Sequence, residues 1–274
     1  MNYSEWIGKT QQQADTVTQA GIDRFCATLD LLPGQTAAPA GYHWCLCLPD
    51  TDTSQLGRDG HPLKGSFIPP VELPRRMWAA TEVEYLAPLS TGANIVRHSH
   101  IAAVNEKTGK TGELVFVEID HATFADDVLS IKERQTIVYR EASTTPMILP
   151  KSDAAMPQGW DIVEVINPTP TLLFRYSSLT FNSHRIHYDL PYTKEQELYP
   201  ELVVQAPLMA TQALQLAEKQ GKITSFSFRA LSPAFCNQPL YLVANLSQSG
   251  GEICTVGADG RTCLRVNVTF SAER

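Results

Sequence analysis

The clearest pattern in this sequence is an alternation of apolar and polar residues near its C-terminal end. Across residues 262–270, apolar side chains occupy every second position, at Leu264, Val266, Val268 and Phe270. Because successive side chains of a β-strand point to opposite faces, this alternation predicts a strand with one buried face. Weaker alternation predicts strands at residues 79–86, 94–104, 113–124, 128–140, 161–166, 223–230 and 239–247. The polar residues 105–112 predict a hairpin turn between two of these strands.

Three segments instead have the apolar spacing of a helix. Residues 10–29 place apolar side chains roughly on one stripe, and residues 172–179 predict a short helix rich in aromatic side chains. Residues 207–219 contain no charged side chain up to Ala217, so we expect this helix to be buried on most sides. Pro207 suits its first turn, and Gly221 stands where a left-handed residue would end it.

Proline-rich segments divide the chain into two related halves. A long segment rich in proline and glycine covers residues 32–74, and three prolines lie within residues 143–158. We therefore predict an N-terminal unit at residues 1–145, a linker at 146–158 and a C-terminal unit at 159–274. In each unit an antiparallel sheet would wrap a central helix, which is an α+β arrangement.

Composition and charge exclude several classes of protein. The chain has 274 residues, of which 43% are hydrophobic and 19% are charged, as in folded globular proteins. Its net charge of −7 argues against non-specific binding to nucleic acid or to anionic membranes. No apolar run approaches the roughly 20 residues of a membrane-spanning helix, and the polar N-terminus has no secretory signal. We therefore expect a cytoplasmic protein whose six cysteines are small buried residues rather than zinc ligands.

The residues best suited to chemistry lie between positions 180 and 189. Asn182 precedes His187 by five positions, and Ala206 lies at the start of the predicted buried helix. An imidazole transfers protons near neutral pH, a side-chain amide orients water, and open helix amides stabilise an oxyanion. Together these groups predict the addition of water to an acyl thioester, or its elimination. The alternative is structural, with His187 as a buried histidine and Asn182 as a turn residue.

Several strings in the sequence are distinctive in combination. They are His43-Trp44, Asp59-Gly60-His61-Pro62, Phe67-Ile68-Pro69-Pro70, Leu73-Pro74-Arg75-Arg76-Met77-Trp78-Ala79, Arg175-Tyr176-Ser177, residues 182–189 and Phe228-Arg229-Ala230-Leu231-Ser232-Pro233. With these strings the chain resembles, over nearly its full length, the MaoC-like double hot-dog hydratases and dehydratases. The branch that it resembles includes the type-2 hydroxyacyl-thioester dehydratases and the mesaconyl-C4-CoA and itaconyl-CoA hydratases.

The resemblance implies two hot-dog folds in one chain, with a catalytic C-terminal half and an N-terminal half that completes the thioester groove. It implies that His187 moves the proton, that Asn182 aligns the water and that the Ala206 amide binds the oxyanion. The broader group usually has aspartate in place of Asn182, and Gln205-Ala206-Pro207 replaces the usual His-Gly-Pro. No metal or redox cofactor is implied, because coenzyme A arrives as part of the substrate. A homodimer is expected.

An acyl group with a second carboxylate would require a cation to bind it. Arg185 is the first candidate, with His184 or Arg75 assisting, although Arg185 equally suits a structural ion pair. The further candidates for substrate binding are Arg76 and Arg175, toward the coenzyme phosphates, and Gln205.

The resulting hypothesis is a hydratase that converts itaconyl-CoA or mesaconyl-C4-CoA to citramalyl-CoA. A 3-hydroxyacyl carrier-protein dehydratase of fatty-acid synthesis is the main alternative, and a thioesterase is another. A non-catalytic acyl-CoA-binding module also stays open, because a fold alone does not establish activity. A metal site at His184, His187 and Asp189 is disfavoured, since these residues are expected in a loop.

Overall fold

The computed structural model describes residues 3–109, 112–151 and 156–272, and ten strands lie in this part of the chain. The N-terminal half contains β1 (Thr10–Thr16), β2 (Arg75–Tyr85), β3 (Asn94–Gly109), β4 (Gly112–Ala125) and β5 (Val128–Arg140). The C-terminal half contains β6 (Ile162–Ile166), β7 (Ile223–Ala230), β8 (Leu240–Ser247), β9 (Gly250–Gly257) and β10 (Thr262–Phe270). These strands form one antiparallel sheet in the order β1-β3-β4-β5-β2-β7-β10-β9-β8-β6.

Helices of the described residues accompany this sheet: α1 (Gln19–Thr28), α2 (Pro170–Leu179), α3 (Leu190–Glu195) and α4 (Ala206–Glu218). The central helix α4 packs against β7, β9 and β10. Its buried apolar side chains are Leu208, Met209, Ala210, Ala213, Leu214, Leu216 and Ala217. The lack of charge along this helix therefore reflects burial, as the sequence predicts.

The two halves share one sheet because β2 pairs with β7. Thr81 lies opposite Phe228 in this antiparallel pair, and Val83 lies opposite Phe226. The two phenylalanine rings pack against Trp44 of the N-terminal half, with centroid distances of 5.8 Å to Phe226 and 6.0 Å to Phe228. The pairing also covers the open strand edge that each half would otherwise present to solvent. The halves therefore have a common core, and the expected α+β architecture is confirmed.

Residues 10–29 contain a strand followed by a helix, where the sequence pattern predicts a helix alone. Strand β1 reads Thr-Gln-Gln-Gln-Ala-Asp-Thr and is largely exposed, so apolar spacing cannot mark it. It forms because its backbone pairs with the edge of β3, with Thr10 opposite His100. Helix α1 begins after Thr18, whose side chain accepts a hydrogen bond from the Gly21 amide.

Strand β9 is missing from the sequence prediction because the residues on both of its faces are mostly buried. Ile253 packs in the main core on one face, and Cys254 and Val256 pack with Trp160 and Val163 on the other. Strand β9 therefore has no solvent-facing row of polar side chains to produce an alternation. Gly221 also differs from expectation, since it does not have a positive φ. A β-carbon at Gly221 would lie 3.1 Å from Cγ of Phe270. Close packing, rather than a left-handed backbone, accounts for this glycine.

The predicted hairpin and the predicted linker both fall partly outside the described residues. Strands β3 and β4 extend to Gly109 and Gly112, which pair with each other, so the turn is shorter than predicted. Residues 110–111 at its tip lie outside the described ranges. Residues 141–151 and 156–161 belong to no strand or helix, whereas residues 152–155 are not described. The boundaries at 145 and 159 stay predictions.

The cysteines have the buried character that the sequence indicates. All six are free thiols, and only Cys45 is more than marginally exposed among them. Burial raises the pKa of Cys45 to about 12, so this thiol is not ionised at neutral pH. Separately, none of the helices in the described ranges combines the length and apolar character of a membrane span.

Candidate functional site

The block of residues 180–189 is a compact turn between α2 and α3. Asn182 holds it together, because its backbone amide donates to Ser177 O at 2.8 Å and its side-chain oxygen accepts from the His184 amide at 3.1 Å. Short polar side chains favour this kind of bond to the backbone two residues ahead. Among the described residues, no protein group hydrogen-bonds to the side-chain nitrogen of Asn182. That nitrogen is therefore available to bind water or substrate.

His187 is oriented by the backbone segment that leads into α4. Its Nδ1 lies 2.7 Å from the carbonyl oxygen of Val203. Because a carbonyl oxygen only accepts, Nδ1 carries the proton and Nε2 is left as an acceptor. Burial lowers the pKa of this imidazole to about 4, although the Val203 carbonyl opposes the shift. His187, which is 7% exposed, is therefore neutral at pH 7 and able to accept a proton at Nε2.

The N-terminus of α4 follows Val203 by three residues. Gln205 occupies the capping position, but its side chain makes no capping hydrogen bond. Ala206 is the first helical residue, so its amide has no acceptor within the helix. The helix dipole adds partial positive charge at this end. Val203 therefore brings His187 and the Ala206 amide into the same region, where an oxyanion would be stabilised.

The side chain of Gln205 links the start of α4 to α2 through hydrogen bonds. It is 1% exposed, and its nitrogen donates to Leu173 O at 2.9 Å and to Ser177 Oγ at 3.0 Å. Both amide hydrogens of Gln205 are used inside the protein, and of its side-chain atoms only the buried oxygen lacks a partner among the described residues; the expected substrate contact of Gln205 stays a prediction. Since Ser177 O also accepts from the Asn182 amide, Gln205 helps to position the block.

The sequence allows Arg185 either to bind a substrate carboxylate or to form an ion pair within the protein, and the structure shows the ion pair. Its Nε and Nη2 donate to Asp189 Oδ2 at 2.9 and 2.7 Å, and its Nη1 donates to Arg58 O at 3.0 Å. Its guanidinium also lies 4.2 Å from the centroid of the Tyr192 ring. Each nitrogen is engaged within the protein, and the carboxylate that Arg185 pairs with in this structure is that of Asp189.

Two further arginines lie apart from the block. Arg75 Nε lies 2.8 Å from Glu197 Oε2, and Arg75 Nη2 donates to the Glu197 carbonyl. Arg175 is exposed on α2 and donates to Ala27 O at 3.3 Å. Within the described ranges, neither arginine bonds to residues 180–189. The structure corrects the expected role of Arg75 to an internal ion pair, and a role of Arg175 toward coenzyme phosphates stays a prediction.

A loop of the N-terminal half, residues 57–63, docks on the block. The Arg185 amide donates to Asp59 O at 2.9 Å, and the Ser183 hydroxyl donates to Gly60 O. Gly60 has a φ of +88°, and a β-carbon there would lie 1.9 Å from the Ser183 carbonyl oxygen. Both its backbone conformation and this close approach therefore require glycine. In the sequence this loop carries turn signals and one of the strings of the family resemblance, but neither assigns Asp59 or His61 to the site.

The docked loop completes a polar cluster that consists of Asp59, His61, Arg76 and His184. Asp59 Oδ2 lies 3.0 Å from His61 Nδ1 and 3.6 Å from Arg76 Nε. The His61 and His184 rings are 4.2 Å apart between centroids, and the His184 and His187 rings are 5.4 Å apart. The polar cluster thus reaches from Asp59 to the His187 imidazole. Arg76, which the sequence suggested for the coenzyme phosphates, lies inside this cluster.

Burial controls the charge of the polar cluster. It lowers the pKa of His184 well below the usual value, and the neighbouring His187 and Arg76 lower that pKa further. Burial raises the pKa of Asp59, whereas the Arg76 guanidinium opposes the rise. His184 is therefore neutral at pH 7, with one ring nitrogen that donates and one that accepts.

Metal binding is the other use that such a cluster suggests. Asp59, His61 and His184 could each supply one ligand atom, and these atoms lie within 4.8 Å of one another. The Arg76 guanidinium, however, lies beside the Asp59 carboxylate and repels a cation. The set His184, His187 and Asp189 is not assembled, because Asp189 pairs with Arg185. The polar cluster therefore suits an anion better than a metal ion.

Comparisons with known proteins find relatives over nearly the whole chain. The family described as hydroxyacyl-thioester dehydratase type 2 matches residues 41–236. A Chloroflexus aurantiacus protein named mesaconyl-C(4)-CoA hydratase is 38% identical over 273 residues, and the match covers 97% of each chain. The mitochondrial hydroxyacyl-thioester dehydratase type 2 of Schizosaccharomyces pombe is 28% identical, with 86% of this chain and 89% of that protein covered.

Solved structures show the same fold. A MaoC-like dehydratase from Phytophthora capsici has a TM-score of 0.72 and 14% identity, with 100% of both chains covered. HtdX from Mycobacterium tuberculosis has a TM-score of 0.70 and 16% identity, with 94% of this chain and 98% of that chain covered. At such identities the likeness concerns the fold alone. The double hot-dog arrangement expected from the resemblance is confirmed.

Proposed function

The chain belongs to the hydroxyacyl-thioester dehydratase type 2 family, and on this basis we propose that it adds water to an unsaturated acyl-CoA. Such a hydro-lyase also catalyses the reverse elimination. We propose further that the preferred acyl group is a branched C4-dicarboxylyl group, in mesaconyl-C4-CoA or itaconyl-CoA, and that the product is citramalyl-CoA. The 38% identity to the relative named mesaconyl-C(4)-CoA hydratase supports this finer assignment.

In the proposed hydration of mesaconyl-C4-CoA, water is held by the side-chain nitrogen of Asn182 and by Nε2 of His187. The imidazole takes a proton while the water oxygen bonds to the β-carbon. The electrons of the double bond move toward the thioester, whose oxygen becomes enolate-like and accepts from the Ala206 amide. His187 then returns the proton to the α-carbon. Protons balance within this cycle, and coenzyme A takes part only as the thiol portion of the substrate.

One observation carries this proposal: His187 Nδ1 is bonded to Val203 O, three residues before the uncapped start of α4. This bond leaves Nε2 without a proton, which a general base requires. It also fixes the ring beside a helix end that offers open amides to an oxyanion. A buried histidine with a purely structural role would not need an uncapped helix next to it.

A panel of enoyl-CoA thioesters tests the proposal, with loss of the conjugated double bond as the readout. The panel contains mesaconyl-C4-CoA, crotonyl-CoA and trans-2-decenoyl-CoA, together with the carrier-protein thioester of the last acyl group. We expect the highest kcat/KM for mesaconyl-C4-CoA. Release of free thiol is followed in parallel, because a thioesterase on the same fold would produce it.

Two other results would redirect the assignment. A preference for the long monocarboxylic carrier-protein thioester would indicate a dehydratase of fatty-acid synthesis; the Schizosaccharomyces pombe relative is named a hydroxyacyl-thioester dehydratase. Tight binding of every thioester without turnover, unaffected by the change His187→Ala, would indicate a non-catalytic acyl-CoA-binding module. Either result would overturn the proposed hydration of a dicarboxylyl group.

A further inference from the structure

We propose that the polar cluster binds the free carboxylate of the substrate, with His184 and His61 as its hydrogen-bond donors and Asp59 and Arg76 as their support. This inference rests on the proposed function, because it assigns residues to the second carboxylate of a dicarboxylyl-CoA. It replaces Arg185, whose guanidinium is paired with Asp189.

The chemistry of the substrate fixes where this carboxylate must lie. In mesaconyl-C4-CoA the free carboxylate is bonded to the β-carbon, which is the atom that receives the water. The water is activated by His187, so the carboxylate has to lie beside the His187 imidazole. The His184 ring occupies such a position, with its centroid 5.4 Å from that of His187. The His61 ring follows, with its centroid 4.2 Å from that of His184.

The side chain of His184 is mostly covered, but its ring nitrogens are open to a ligand. It is 8% exposed, and within the described part of the chain neither of its ring nitrogens hydrogen-bonds to the protein. Neither nitrogen is among the fully enclosed polar atoms that lack a partner, so a ligand can reach them. A bound carboxylate would accept a hydrogen bond there, since neutral imidazole keeps one N–H to donate.

His61 is oriented by Asp59 for the same purpose. Its Nδ1 lies 3.0 Å from Asp59 Oδ2, and the Asp59 side chain also accepts from the His61 backbone amide at 3.1 Å. Asp59 therefore fixes both the backbone and the ring of His61, and Nε2 of the ring is left for a ligand. When both ring nitrogens carry protons, Nδ1 donates to Asp59 and Nε2 donates to the ligand.

The charges around the cluster allow an anion to enter. Arg76 lies on β2 and faces Asp59, and Lys64, just after loop 57–63, also lowers the pKa of that carboxyl group. The Asp59 carboxylate is therefore offset by nearby cations, of which Lys64 also faces Glu72. From the other side the cluster faces His187, which is neutral at pH 7. An incoming carboxylate therefore meets the Arg76 guanidinium beside the Asp59 carboxylate, which reduces the repulsion between the two anions.

The test compares mesaconyl-C4-CoA with 3-methylcrotonyl-CoA, in which a methyl group replaces the free carboxylate. The measured quantity is the ratio of kcat/KM for the two substrates. We expect His61→Leu and His184→Leu to lower this ratio about 10- to 100-fold each, the range for a hydrogen bond to a charged group. His61→Gln keeps a donor and is expected to recover part of the ratio. His100→Leu, at an exposed histidine on β3, is the matched control.

Folding is monitored by thermal melting, and Asp59→Asn gives an isosteric variant if a leucine variant fails to fold. Asp59→Asn is also expected to lower the ratio, because a neutral amide holds the His61 ring less strongly than the carboxylate does. Equal loss of both activities in all folded variants would show a structural role and overturn this inference. Failure of the unmodified protein to hydrate either thioester would instead overturn the proposed function itself.

Discussion

The α-carbon of Gly60 lies so close to the carbonyl oxygen of Ser183 that no side chain fits between them; a β-carbon would stand 1.9 Å from that oxygen. Gly60 belongs to the N-terminal half, and Ser183 lies between Asn182 and His184 in the other half. The Ser183 hydroxyl also donates to Gly60 O. This contact seats loop 57–63 and therefore determines where Asp59 and His61 lie.

Gly60→Ala is expected to unseat this loop. The residue has a φ of +88° and meets backbone, so the change costs the strain of a left-handed alanine, about 1–3 kcal/mol, and a steric clash in addition. We expect a lower melting temperature and a lower kcat/KM for mesaconyl-C4-CoA. Denaturant unfolding and steady-state kinetics measure the two effects.

Gly92→Ala provides the matched control for this experiment. Gly92 has a φ of +90°, but a β-carbon there meets nothing within 4 Å. It therefore carries the backbone strain without the clash. If the two variants lose the same free energy of unfolding and keep the same activity, the contact between Gly60 and Ser183 has no role in seating the loop.

His187→Ala and Asn182→Ala test the proposed acid–base chemistry. Removing the imidazole should lower kcat by about 10²- to 10⁴-fold, the usual contribution of a positioned general base. Removing the Asn182 side chain should also lower kcat, because the water loses a hydrogen-bond partner. Circular dichroism checks the fold, and His98→Ala, at an exposed position on β3, is the control. Near-native hydration by either folded variant would exclude the proposed role of that residue.

Ala206→Pro removes a single backbone N–H from the proposed oxyanion site. Proline is tolerated in the first position of a helix, and the preceding Gln205 already has the extended backbone (φ −63°, ψ 129°) that proline requires. The fold should therefore persist while kcat falls about 10²- to 10³-fold, as for loss of one oxyanion donor. Ala206→Gly keeps the amide and serves as control. Equal turnover by the two variants would place the oxyanion elsewhere.

The rate of hydration is expected to depend on pH through His187. The neutral imidazole is the active base, and burial lowers its pKa to about 4. The value of kcat/KM should therefore be flat near neutrality and should fall about tenfold per pH unit below pH 4. A pH profile measured with mesaconyl-C4-CoA shows the midpoint. A midpoint near the ordinary value of about 6.5 would mean that His187 is solvated or is not the base.

Stability should decline over an overlapping range of pH. Burial lowers the pKa values of His43, His121 and His187 to about 4, whereas the unfolded chain titrates near 6.5. Below that pH the unfolded state binds protons that the native state does not. The free energy of unfolding is therefore unaffected by these groups above about pH 6.5 and falls as pH decreases toward 4. Melting curves across this range show whether a fall in activity results from unfolding or from protonation of the His187 imidazole.

Arg185→Met is expected to weaken the fold and to leave substrate preference unchanged. Arg185 pairs with Asp189 and lies over the Tyr192 ring, so its loss should cost about 1 kcal/mol of stability. The ratio of kcat/KM between mesaconyl-C4-CoA and 3-methylcrotonyl-CoA is the measurement. A selective loss of mesaconyl-C4-CoA turnover would show that Arg185 leaves Asp189 to bind substrate.

The local sequence pattern was sufficient for a strand with one face in the core and one in solvent, and for a helix whose lack of charge indicates burial on most sides. It predicts β10 and the buried helix α4 closely, and the Asn182–His187 spacing marks the block that the structure folds into a turn. It fails for β1, which is polar and held by backbone pairing, and for β9, which is buried on both faces.

The partners of charged side chains were not predictable in the same way. Arg185 and Arg75 are each committed to an acidic residue of the protein, which only the tertiary structure shows. Asp59 and His61 lie in a turn with no periodicity, far along the chain from His184. Nothing local connects them with the block, so their place in the site depends on a long-range contact.

The pairing of β2 with β7 has a consequence for the architecture of the polypeptide itself. The two halves contact each other through the paired strands, the shared aromatic core and loop 57–63, whereas residues 141–151 between them belong to no strand or helix. A backbone nick in that stretch is expected to leave an active, non-covalent heterodimer. The C-terminal fragment alone would keep Asn182, His187 and Ala206 but would lack Asp59, His61 and Arg76. Either fragment would carry an uncovered strand prone to self-association.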